Sequence, residues 1–191
     1  MRSAKIVRKT KETSIELSLN IDGGDIAIDT GIGFFDHMLE LFAFHGGFGL
    51  SLKAKGDINV DGHHTVEDAG IAFGEAFYSA LGDKVGISRY AQTLLPMDET
   101  LAESAVDISG RAALVFNVAF PPGSAGFDME LVEEFFRAFA ANAKITLHIN
   151  LRYGKNNHHI AEAVFKSAAR SLREAVKITS DALPSTKGCL A

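Results

Sequence analysis

The stretch His63-His64-Thr65-Val66-Glu67 returns as His158-His159-Ile160-Ala161-Glu162, 95 positions further on (158 − 63). A repeat at this distance constrains the fold strongly, because each half must build the same unit. Both motifs run into small and apolar residues at helical spacing, Ala69 to Leu81 and Ala163 to Val176, and neither stretch contains proline. Upstream, Asp36-His37-Met38-Leu39 lies over Glu133-Glu134-Phe135-Phe136, which sets His37 over Glu134 at an offset of 97 (134 − 37). Both segments read as amphipathic helices leading into alternating strands, Leu50 to Lys53 and Ile145 to Ile149. The offset changes because the second loop between strand and motif is shorter. Further alternation marks strands at Ser14 to Leu19 and Asp25 to Ile28, and again at Ala105 to Ile108 and Ala113 to Val118.

Each half therefore reads strand, strand, helix, strand, and then a helix opened by the His-His motif. A further alternating pattern follows directly after Arg2 to Lys5. The expected fold class is α+β and internally duplicated, with two similar halves, each a four-stranded mixed sheet with two helices on one face. The chain, 1–191, is expected to form a single compact unit of two pseudo-repeats, about 8–92 and about 99–187.

The doubled motif carries chemistry. Residues three and four apart share a helix face, so Glu67 joins His63 or His64, and Glu162 joins His158 or His159. Adjacent histidines diverge by about 100° and do not grip one ion together. Two facing motifs thus offer arms to two metals. The repeat adds His37 and Glu134 at equivalent helix positions. The candidate ligands are then His37, His63, His64, Glu67, Glu134, His158, His159 and Glu162. All offer nitrogen or oxygen, which suits Mn²⁺, Fe²⁺, Co²⁺, Ni²⁺ or Zn²⁺, and a mixed imidazole-carboxylate set favours six-coordination. One His-His pair alone would read as a helix cap or a polar surface contact; two copies in register, each with its glutamate, do not. Of the seven histidines, His148 alternates within a strand and reads as structural, while His45 is placed to line the cavity.

Several cations suggest an anion site. Arg89 follows the first long helix, Arg111 sits in the turn Ser109-Gly110-Arg111, and Lys166 lies two helical turns past His158. Pro184-Ser185-Thr186-Lys187-Gly188 offers hydroxyls, backbone N–H groups and an ammonium. Together these groups could hold a phosphate; singly, each reads as a solvated surface cation. The formal net charge of −5 argues against a nucleic-acid surface. No apolar run reaches the roughly 18–20 residues of a membrane span. With a single cysteine, Cys189, and no apolar leader core, a reducing cytosol is expected.

The segments Gly31-Ile32-Gly33-Phe34-Phe35-Asp36-His37-Met38-Leu39, Asp61-Gly62-His63-His64-Thr65-Val66-Glu67-Asp68 and Asn157-His158-His159-Ile160-Ala161-Glu162-Ala163-Val164-Phe165-Lys166 resemble those of imidazoleglycerol-phosphate dehydratases. So do Asp107-Ile108-Ser109-Gly110-Arg111 and Pro184-Ser185-Thr186-Lys187-Gly188, and the likeness runs from about Arg8 to Lys187. The resemblance implies manganese-dependent dehydration of D-erythro-imidazoleglycerol phosphate to imidazole acetol phosphate, the sixth step of histidine biosynthesis. It implies two Mn²⁺ per site and a homo-oligomeric shell of 24 subunits whose sites are shared between subunits. The ligand set carries over to His37, His63, His64, Glu67, His158, His159 and Glu162. The eighth position is His in some members and Glu134 here; a carboxylate still ligates Mn²⁺. Phosphate contacts carry over to Arg89, Arg111, Lys166, Ser185 and Lys187, and Glu12 matches a family acid near the substrate.

The proton lost in such a dehydration sits on carbon beside an imidazole. Metal ions would serve as Lewis acids and template, with Glu162 or Glu12 as general acid/base. Two other readings stay open: a dinuclear metallohydrolase acting on a small phosphorylated substrate, and a protein in which the ions only bolt subunits together.

Overall fold

The computed structural model describes residues 2–123 and 126–190. The ends of the expected unit, Met1 and Ala191, lie outside them. The first sheet holds β1 (Ser3–Lys9), β2 (Thr13–Asn20), β3 (Ile26–Asp29) and β4 (Gly49–Gly56), in the order β1-β2-β4-β3. The second holds β5 (Tyr90–Met97), β6 (Thr100–Asp107), β7 (Ala113–Asn117) and β8 (Thr146–Tyr153), in the order β5-β6-β8-β7. The pairing is the same in both: β2 and β6 run antiparallel to their neighbours, whereas β3 lies parallel to β4 and β7 parallel to β8. A parallel pair needs a crossover, and α1 (Gly33–Gly46) and α3 (Glu130–Ala143) supply it. The two motif helices, α2 (His63–Leu81) and α4 (Asn157–Ala175), follow β4 and β8. The duplicated α+β fold expected from the repeat is the one found.

Alternation explains the layering. Ile15, Leu17 and Leu19 of β2 are buried, as are Leu50 and Leu52 of β4, while the intervening side chains face outward. Each sheet turns its apolar face to the helices, and the four helices form the middle layer: α2 packs on β1, β2 and α3, and α4 on β5, β6 and α1. Phenylalanines fill this layer. Phe42 and Phe73 lie 5.3 Å apart between ring centroids, Phe73 and Phe139 5.2 Å, and Phe135 and Phe165 5.3 Å. Each such buried ring contributes roughly 1.5–3 kcal/mol from burial alone.

The two helix crossings differ. A Cβ on Gly70 would sit 2.7 Å from the Phe135 carbonyl oxygen, and one on Gly74 2.5 Å from that of Phe139. Glycine is what lets α2 approach α3 so closely. The positions 95 residues later in α4 are Phe165 and Ala169, so the crossing of α4 with α1 is built from side chains instead.

The junction between halves lies earlier than the 92–99 interval. β5 starts at Tyr90 and pairs with β6 throughout. Pro96 within it reads as a breaker, but β5 is an edge strand, where a missing N–H is tolerated. Among the described residues, no helix is long and apolar enough to cross a membrane.

Candidate functional site

The site forms where the first turns of α1 and α4 meet. Asn156 caps α4, its side chain accepting from the His158 and His159 N–H groups at 2.9 and 3.4 Å. The start of α1 is fixed by Asp36, whose carboxylate accepts from the Thr30 N–H at 2.8 Å and from the Thr30 hydroxyl. These contacts aim His158 and His37 at one another, with ring centroids 5.7 Å apart. Glu162, one turn along α4 from His158 and 7% exposed, closes the cluster. Its Oε1 lies 2.9 Å from His158 Nε2 and 3.2 Å from His37 Nε2, and its other oxygen accepts from Lys166 Nζ.

Burial alone would push the Glu162 carboxyl up, but hydrogen bonds from Lys166, His37 and His158 outweigh it and hold the pKa down to about 2. The group is therefore ionised at neutral pH. One donor atom from each of His37, His158 and Glu162 lies within 4.8 Å of the others, the spacing of ligands around one ion. Among the described residues this is the one such group of three. Its nitrogen and oxygen donors fit a divalent first-row metal.

The repeat places His63, Glu67 and Glu134 opposite His158, Glu162 and His37, but their donor atoms do not form a second such group. Glu134 is drawn to Arg137 at 3.5 Å, one helical turn away. His63 is exposed on the first turn of α2, where it lines a cavity of about 430 Å³ with Ile32, Phe34, Ile58 and Leu131. Glu67 is half-buried on the next turn.

The second histidine of each pair points elsewhere, as adjacent helix positions require; the rings of His63 and His64, and of His158 and His159, are close to perpendicular. His64 Nδ1 lies 3.0 and 3.1 Å from the two oxygens of Asp57 and 3.8 Å from Glu12. His159 Nδ1 lies 2.7 Å from Glu99 Oε2, and its Nε2 3.7 Å from Asp98. Hydrogen bonding to Asp57 raises the pKa of His64, and hydrogen bonding to Glu99 raises that of His159, both above the ordinary 6.5.

The cations divide into two groups. Lys166 belongs to the histidine cluster through Glu162. His45, in the last turn of α1, has its pKa lowered by burial and then by the charges of Lys166 and Arg170. Arg89 and Arg111 converge instead on Asp107. Arg89 donates from Nε and Nη2 at 2.7 and 3.3 Å, and Arg111 Nη2 lies 3.8 Å away. Arg89 also donates to the Pro184 carbonyl at 2.8 Å, which ties in the segment bearing Ser185 and Lys187. There the Ser185 hydroxyl donates to the Cys189 carbonyl and accepts from the Lys187 N–H.

Sequence reasoning passed over Asp57, Asp98 and Glu99, and gave Asp107 no role beyond opening the segment Asp107 to Arg111. Glu99 had a signal: Glu99-Thr100 repeats Glu12-Thr13 at the start of the equivalent strand. Asp57 and Asp98 carry no pattern of their own.

The family model described as imidazoleglycerol-phosphate dehydratase matches residues 30–172. The imidazoleglycerol-phosphate dehydratase of Methylorubrum extorquens is 58% identical over the full length of both chains. That of Streptococcus mutans is 56% identical, again over the full length of both. Among solved structures, the Staphylococcus aureus imidazoleglycerol-phosphate dehydratase superposes with a TM-score of 0.85 at 43% identity, covering 93% of this chain and 99% of its own. The Pyrococcus furiosus structure superposes with a TM-score of 0.84 at 36% identity, covering 97% and 100%.

Proposed function

The chain belongs to the imidazoleglycerol-phosphate dehydratase family, hydro-lyases of histidine biosynthesis, and from that premise we propose that it converts D-erythro-imidazoleglycerol phosphate to imidazole acetol phosphate with two Mn²⁺ ions. The observation that carries the metal part is the convergence of His37, His158 and Glu162 on one point. When bound, the ions supply Lewis acidity and a template for the imidazole ring.

The residues then divide the work. Glu162, with three donors on its carboxylate, is committed to holding charge. Glu12, exposed in the β1–β2 turn, accepts no hydrogen bond on its carboxylate among the described residues. It is the acid with room to take or give a proton at the substrate carbon. Arg89, Arg111, Ser185 and Lys187 bind the phosphate, Arg111 being the freer arm with its side chain 62% exposed. Lys166, paired with Glu162, and His45 would contact the substrate from the side of the histidine cluster. Binding of the phosphate far from the reacting carbon contributes to orientation.

The second ion would lie by His63, Glu67 and Glu134. His64 and His159, turned away from the cluster, would each complete a site on another subunit of a 24-subunit homo-oligomer. Exposed apolar side chains on the outer sheet faces, Val7, Tyr90, Leu94 and Val115, suit burial in such an assembly. The same reading places the enzyme in the cytosol.

The test is the product formed on incubating the Mn²⁺-loaded protein with imidazoleglycerol phosphate. A keto phosphate is expected; release of inorganic phosphate would favour a metallohydrolase instead.

A further inference from the structure

Glu12 and Glu99 occupy the same place in the two halves: each directly precedes the buried threonine, Thr13 or Thr100, that opens the central strand. Each stands at the hairpin turn beside the second histidine of its own half's pair. The two turns differ by one residue. Three residues link β1 to β2, whereas Asp98 and Glu99 alone link β5 to β6, with Asp98 at φ 49°. Beside the tighter turn, Glu99 meets the start of α4.

The consequence is visible in the contacts. Glu99 Oε1 accepts from the Asn156 N–H at 2.9 Å, and from the Lys155 N–H and the Thr100 hydroxyl at 3.3 Å each. Its Oε2 lies 2.7 Å from His159 Nδ1. An ionised carboxylate there keeps the proton on Nδ1 and turns the Nε2 lone pair outward, beside Asp98 at 3.7 Å. In the first half Asp57 performs this task for His64, and Glu12 stays 3.8 Å away with its side chain 55% exposed.

We propose that Glu99 is the positioning residue for His159 as a metal ligand, so that after duplication one copy of the hairpin acid came to orient a ligand while the other, Glu12, remained free to face substrate. This rests on the two-metal reading above. The carboxylate–histidine–metal arrangement has a known effect: loss of the outer carboxylate weakens metal binding by about 10–100-fold.

The experiment is calorimetric titration of the full chain, stripped of metal, with Mn²⁺ alone. Glu99→Ala is expected to weaken one class of sites by about 10–100-fold, while Glu12→Ala leaves both classes at wild-type affinity. Glu99→Gln keeps an acceptor for the Asn156 N–H and is expected to weaken Mn²⁺ binding with the metal-free unfolding midpoint unchanged; it carries the test if Glu99→Ala does not fold. Wild-type Mn²⁺ affinity in Glu99→Gln would overturn the proposal, as would equal weakening by Glu12→Ala. A wild-type chain that binds no Mn²⁺ would overturn the metal reading itself, and this inference with it.

Discussion

His158 Nε2 lies 2.9 Å from Glu162 Oε1, one helical turn along the same face of α4, and His37 reaches the same oxygen from α1. Three polar groups from two helices thus meet where an ion would neutralise the carboxylate. Glu162→Gln removes that charge without changing volume. It is expected to lower turnover by at least about 10³-fold, combining lost metal affinity with lost charge, while circular dichroism shows the fold intact. Glu12→Gln is expected to lower kcat by about 10²–10⁴-fold with metal content unchanged. Metal analysis beside steady-state kinetics separates the two roles, and normal turnover in Glu162→Gln would contradict the site.

Arg89 is held by Asp107 and by the Pro184 carbonyl, so it links two segments assigned to phosphate. Arg89→Ala removes a charged hydrogen-bonding group worth about 1.5–3 kcal/mol. KM for the phosphorylated substrate is expected to rise by about 10–100-fold, converted from that figure, with a smaller change in kcat. An unchanged KM would remove Arg89 from the phosphate site.

Much of this was legible in the sequence because duplication prints itself twice. The His-His-x-x-Glu repeat located α2 and α4, and its extension upstream brought His37 into the site. Strands β5 and the first half of β6 were not legible: Pro96 disguises an edge strand, and Thr100 to Ser104 is too polar to read as buried alternation. Nor could the sequence show that His159 turns to Glu99, or that Arg89 joins Arg111 on Asp107, since those contacts bring together residues 60 and 18 positions apart. The His37 equivalence also promised a symmetric second cluster. Arg137, which has no counterpart cation at Glu40, draws Glu134 aside.

Gly74 lets α2 touch the backbone of α3. Gly74→Ala places a methyl 2.5 Å from the Phe139 carbonyl oxygen, which cannot swing away as a side chain would. The expected loss is about 1–3 kcal/mol, a fall in Tm of roughly 2–4 °C per kcal/mol. Ala169, at the matching place in α4, makes the control: Ala169→Gly has no such clash. Thermal unfolding of the metal-free chains measures both, and a Gly74→Ala midpoint equal to wild type would contradict the close crossing.

Asp57 and Glu99 stabilise the protonated forms of His64 and His159, raising both pKa values above 6.5. A protonated imidazole does not ligate, so Mn²⁺ must displace a proton from each. Raised values move this competition to higher pH: affinity should already decline as pH falls through the region just above 6.5 and should recover as pH rises past the shifted values. Mn²⁺ titrations between about pH 8 and about pH 6 are expected to show affinity falling by up to about tenfold per unit for each histidine engaged. A flat profile would contradict these histidines as ligands.

The most direct test of a metal site built from the doubled motif is to strip the chain with a chelator and follow the keto product from imidazoleglycerol phosphate before and after Mn²⁺ is restored. No product is expected from the stripped chain, and full recovery on addition of Mn²⁺. Full activity in the metal-free chain would contradict the account.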